Sequence, residues 1–188
     1  MLESGSTTRA AAGDVVVHAG GSGAGSSSAG ISIAAGATRE EQQVGGTVSL
    51  VSGEGSASSG IVNISTGGST AGSTGSAVVQ TGSASAGSSG TINIATGKST
   101  EESSGSLAVM VGPSTLNEGG SVTLAAGDTA SAFAGGSVTI SSGPSSLGKS
   151  GPLSLETANA TSLADSGALK VTSGASAEGQ SGTVTLTT

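Results

Sequence analysis

Gly120-Ser-Val-Thr-Leu-Ala-Ala-Gly127, then Asp128-Thr-Ala-Ser-Ala-Phe-Ala-Gly135, then Gly136-Ser-Val-Thr-Ile-Ser-Ser-Gly143 holds the pattern on which the whole chain is built. Two glycine-bounded octads flank a small, polar connector. Inside each octad apolar and polar residues alternate, Val122 with Leu124 and Val138 with Ile140 on one side. A period of two is the signature of a strand that buries one face. The connector lacks any such period, and its Gly, Ser, Asp and Ala content is that of a turn.

Working outward, the octad recurs in both directions. GTVSLVSG starts at Gly46, GIVNISTG at Gly60, GSAVVQTG at Gly75, GTINIATG at Gly90 and GSLAVMVG at Gly105. Weaker copies are GDVVVHAG from Gly13, AGISIAAG from Ala29, GPLSLETA from Gly151, GALKVTSG from Gly167 and the truncated GTVTLTT from Gly182. The spacing is about 15 residues, shorter than most helical repeats and suited to one coil of a β-solenoid. The predicted fold is therefore all-β: a parallel β-solenoid, or β-helix, of about 12 thin, flattened coils. Residues 1–12 read as a lead-in or partial coil, and 13–188 as a single repeat domain.

The third inward position is Thr66, Thr81, Thr96, Ser142, Thr157 or Ser173 in many copies and Val111 or Ala126 in others. The glycine after it (Gly53, Gly67, Gly82, Gly97, Gly112, Gly127, Gly143 or Gly174) is expected to turn a corner with positive φ, and Ala158 breaks that column. The remaining residues are small enough for two faces of a thin coil to meet closely. Helix is excluded by the dominance of Gly and β-branched residues and the lack of a 3.6-residue apolar stripe.

Composition narrows the function. The chain has 188 residues with 35 Gly, one Phe, no Cys, Trp or Tyr, and only 9% charged residues. Without aromatics, Val, Ile and Leu must supply any core, so a thick one is not expected. Zero cysteines exclude disulfides and thiolate metal sites. A net charge of −7 argues against a nucleic-acid partner, and no apolar run reaches the ~20 residues of a membrane span. No signal peptide opens the sequence. The last copy stops within its strand at Thr188 without a cap, which predicts flanking repeats of a longer chain or end-to-end self-association.

Few residues carry chemistry. Gly143-Pro-Ser-Ser-Leu-Gly148-Lys149-Ser150 matches the phosphate-loop pattern, but that chemistry needs a helix opening at the lysine. Here another strand copy follows, Gly151-Pro152-Leu153-Ser154-Leu155, so the match reads as coincidence. Asp14 and His18 share one side of a strand, yet one histidine at the end of a convex rod reads as a solvated residue. The acid pairs Glu40/Glu41 and Glu101/Glu102 read as surface charge, and GGSGAG at 20–25 lacks the aspartate of calcium-binding β-rolls. Asn63 and Asn159 lie in sequons that matter only on a eukaryotic secretory route. Catalytic, cofactor and metal residues are therefore expected to be absent. The loops around Glu40 and Phe133 are enlarged and are natural places for contacts.

The outward octad positions form the candidate binding columns: Thr91 and Asn93; Ser121 and Thr123; Ser137, Thr139 and Ser141; Thr183, Thr185 and Thr187. Gln80, Met110, Glu156, Lys170 and His18 interrupt them. Thr, Ser and Asn are also good exposed strand residues in their own right.

At its S-G-x-V-x-[IL]-x-[ST]-G signature the chain resembles the Gly/Ser-rich tandem repeats of very large surface or secreted proteins of microalgae and similar protists. It is also similar in repeat length and composition to antifreeze solenoids, though without their disulfides and strict Thr-x-Thr columns. The first resemblance implies a non-catalytic structural module, a rigid rod of an extracellular or cell-surface protein or fibre. The second implies ice binding through the Ser/Thr columns, and the same face would suit a polysaccharide or mineral.

Overall fold

The computed structural model describes residues 3–8, 12–23, 25, 28–40, 42–161 and 164–188. Two units divide the chain, Met1–Ile94 and Ala95–Thr188. Neither contains a helix or a strand among the described residues, so the expected β-solenoid is not formed. Nor is there a core: Val122 is 56% exposed and Leu124 76%, and no described residue is buried. Among the described residues only Ala19, Ser52 and Ser99 are half-buried. The chain exposes 18623 Å². A compact protein of its mass exposes roughly 7,700 Å² and a fully unfolded one roughly 25,000 Å².

The reason lies in what alternation specifies. A period of two says which face a strand would bury, not that a partner covers it. A strand is made by its ladder of inter-strand bonds, and among the described residues no backbone bond reaches the interior of an octad. Ser, Ala and Gly, which fill the rest of each repeat, add little apolar area to hold two faces together.

What the structure does contain is a local unit repeated in both halves. In Met1–Ile94, Gly46 N–H donates to Gly36 O at 2.8 Å and Gly60 N–H to Gly53 O at 2.9 Å. In Ala95–Thr188, Gly136 N–H donates to Gly127 O at 2.9 Å, Gly151 N–H to Gly143 O at 3.0 Å and Gly182 N–H to Gly174 O at 3.4 Å. The last glycine of one octad thus meets the first glycine of the next, and the connector between them closes into a loop. Bends fall inside these connectors, as at 130–133, 146–148 and 177–179, and inside others without a loop-base bond, as at 85–87 and 115–117.

The glycines do a different job from the one expected. None of the corner glycines has a positive φ; among the described residues that conformation occurs at Gly25 (83°) and Gln42 (63°). A Cβ on Gly127 would meet nothing within 4 Å. The steric demand falls instead on the octad-start glycines Gly46, Gly120 and Gly136 and, within a loop, on Gly55 against Ser58 O. A Cβ on Gly120 would lie 2.7 Å from Val111 Cγ1, and one on Gly136 3.1 Å from Gly127 N and 3.2 Å from Ala126 Cβ.

Candidate functional site

Many of the loops are held from within by a hydroxyl two residues after the corner glycine; the loops 53–60 and 82–90 carry Gly55 and Ala84 there instead. Gly72 N–H donates to Ser69 Oγ at 3.0 Å, Glu102 N–H to Ser99 Oγ at 3.2 Å and Asn117 N–H to Ser114 Oγ at 3.2 Å. The same three-residue reach recurs from Gly148 to Ser145 at 2.9 Å and from Gly179 to Ser176 at 2.8 Å. Short polar side chains close turns in this way by accepting from backbone ahead of them. The loop after Gly127 is longer and uses two such residues. Thr129 Oγ1 lies 2.8 Å from Ser131 Oγ and accepts from Ser131 N–H, while Ser131 Oγ accepts from Phe133 N–H at 3.4 Å. In the loop around Glu40, Glu40 N–H donates to Thr38 Oγ1 at 3.2 Å. The Gly-x-[Ser/Thr] spacing that marks these anchors stands in the sequence at 67–69, 97–99, 112–114, 143–145 and 174–176.

The phosphate-loop match is one of these loops. Gly148 N–H is taken by Ser145 Oγ and Gly151 N–H by Gly143 O, and no helix opens at Lys149. Two of the amides such a site would turn toward a phosphate are therefore used internally.

The column residues Thr91, Asn93, Ser121, Thr123, Ser137, Thr139, Ser141, Thr183, Thr185 and Thr187 all lie exposed along octads. No sheet aligns them with one another, because no ladder joins the octads that carry them. The inward residues Thr81, Ala126 and Ser142 instead lie at loop bases, where each approaches the first glycine of the following octad. Asp14, His18, Glu101 and Glu102 are exposed, and so are Asn63 and Asn159. Glu41, Ala24 within GGSGAG, and Met1, Leu2, Arg9, Ala10 and Ala11 of the lead-in lie outside the described residues.

Among the described residues no three His, Cys, Asp or Glu side chains group to hold a metal ion, and no cavity is enclosed. No described helix is long and apolar enough to cross a membrane. The loops also carry apolar tips, two of them, Leu116 and Leu147, beyond the Phe133 loop that the sequence singles out. Leu116 is 91% exposed and Leu147 fully so, and Phe133 is 83% exposed in the bend at 130–133. No family model, no curated protein and no solved structure matches the chain.

Proposed function

We propose that the chain is a non-catalytic structural repeat module of an extracellular or cell-surface protein, in keeping with its likeness to Gly/Ser-rich surface repeats. The observation that carries this is the local closure of five connectors, 36–46, 53–60, 127–136, 143–151 and 174–182. A glycine-to-glycine backbone bond and a hydroxyl anchor recur from copy to copy, and every bond involved lies within one loop. Such a unit adds reach without depending on distant parts of the chain, which is what a spacer built of tandem copies requires. Among the described residues the charged and titratable side chains are exposed and do not group together, which supports the non-catalytic reading.

Deletion of one whole repeat, residues 120–135, tests the modularity. The NMR shifts of all but the adjoining repeats should stay in place while the hydrodynamic radius decreases; shifts displaced throughout the chain would refute it. Antibody labelling of intact source cells tests the placement. Labelling only after permeabilisation would overturn it.

A further inference from the structure

The seven octads from Gly46 to Gly143 contain no charged residue and no proline. Every charge between those positions, Glu54, Lys98, Glu101, Glu102, Glu118 and Asp128, falls in a loop. The octads are also where Val, Ile and Leu concentrate, at alternate positions and exposed. Segments with high strand propensity, no charge and no proline are the ones that stack into intermolecular sheets.

The backbone adds a second, independent observation. Of the six backbone bonds outside regular structure among the described residues, five join loop-base glycines and the sixth runs from Gln43 N–H to Glu40 O. Residues 121–126 and 137–142 take part in none of them, so both edges of these segments are open to another strand.

We propose that the octads are the interaction surface of the chain and that their partner is a second copy of it, paired octad to octad. The structural-module reading does not require this, since a monomeric spacer would satisfy that reading equally well. A second copy fits where another protein would not, because it carries the same uncharged octads at the same spacing of about 15 residues. One register therefore matches many octads at once, and each pairing raises the effective concentration for the next. Placing an octad on its equivalent opposes no like charges.

The area is of the right size. A Val, Leu or Ile side chain offers about 60–120 Å² of apolar surface when fully exposed. Val48, Leu50, Ile92, Ile94, Val122, Leu124, Val138, Ile140, Val184 and Leu186 are each about half to fully exposed. Together they present on the order of 600 Å² per chain, to which backbone and hydroxyls add, against about 800 Å² per partner in a standard stable interface. The acidic loops oppose association through the net charge of −7, and salt screens that repulsion.

Sedimentation velocity and infrared amide I spectra, measured over rising chain concentration at low and high NaCl, test the proposal. Expected is a concentration threshold above which large species and a β-sheet band appear together, with the threshold lower at high salt. The double variant Val138→Lys/Ile140→Lys should raise it about tenfold, equivalent to about 1.4 kcal/mol, while the loop variant Asp128→Lys should leave it unchanged or lower it. A β-sheet band independent of concentration would mean pairing within one chain and would overturn the proposal. So would a chain that stays monomeric to its solubility limit, or equal effects of the octad and loop variants.

Discussion

Replacing Gly136 by Ala tests the loop-base arrangement most directly. The loop from Gly127 to Gly136 is closed by one backbone bond of 2.9 Å. A Cβ at position 136 would lie 3.1 Å from Gly127 N, 3.2 Å from Ala126 Cβ and 3.3 Å from Gly127 O. All three approaches are shorter than the ~3.5–4.0 Å optimum of carbon contacts. One of the crowded atoms, Gly127 O, is the acceptor of the closing bond and the other two adjoin it, so relieving the crowding lengthens that bond. A backbone bond of this kind contributes about 0.5–1.5 kcal/mol, so its loss should speed amide hydrogen exchange at position 136 by about two- to twelvefold. Gly127→Ala is the matched control. Position 127 has no positive φ and open space around it, and stiffening the open chain there favours the closed loop by about 0.4–1 kcal/mol. Exchange at position 136 should then be unchanged or slower. Per-residue exchange rates by NMR decide the matter, and equal effects of the two substitutions, or the reverse order, would refute the assignment of the steric demand to the second glycine.

Ser145→Ala removes the acceptor of Gly148 N–H, so exchange at Gly148 should rise by about two- to twelvefold while Gly151, bonded to Gly143 O, is spared; NMR exchange also reads this, and Ser145→Thr should restore the rate. Thermolysin, which cuts before bulky apolar residues, should cleave the dilute chain within octads such as 120–127 at rates close to those of an unstructured peptide, followed by mass spectrometry; octads that persist would contradict their exposure. Ice grown from dilute solutions of the chain should stay unshaped, because Thr123 and Thr139 ride on octads that no ladder aligns. Faceted crystals with a freezing gap, abolished by Thr139→Tyr, would show an aligned face after all.

The division of each repeat into octad and loop was legible in the sequence, because turn-forming residues and an alternating run announce themselves locally. The bends at 115–117 and 146–148 fall where Pro113-Ser-Thr and Pro144-Ser-Ser mark connectors. The association of the octads was not legible. Val122 and Leu124 define a face, but what lies opposite that face is not a property of the eight residues from Gly120 to Gly127. Gly127, as the residue that ends the run, is expected to turn a corner with positive φ, and it does not. A close approach is a relation between two positions, and only coordinates place Gly136 against Ala126. The hydroxyl columns at Thr91, Thr139 and Thr185 failed to assemble for the same reason as the strands: a column exists only if a ladder sets neighbouring octads in register. The anchor at Ser145 or Ser176 could have been found beforehand, since a serine two residues after a corner glycine recurs in the text of the repeat.

The loop-base bond also shapes how such a sequence can change over generations. It is made by main-chain atoms alone and spans connectors of unequal length, from Gly53 to Gly60 and from Gly36 to Gly46. Because the entropy of closing a loop grows only slowly with its length, residues can be inserted, deleted or recharged inside a connector while the next octad still starts from the same clasp. Mutation can therefore rewrite the connectors one at a time, as the contrast between Lys98-Ser-Thr-Glu-Glu102 and Pro144-Ser-Ser-Leu-Gly148 illustrates. At Gly46 and Gly136 the backbone of the preceding corner glycine leaves little room for any side chain, whereas Gly75 and Gly167 stand in open space and are free to change.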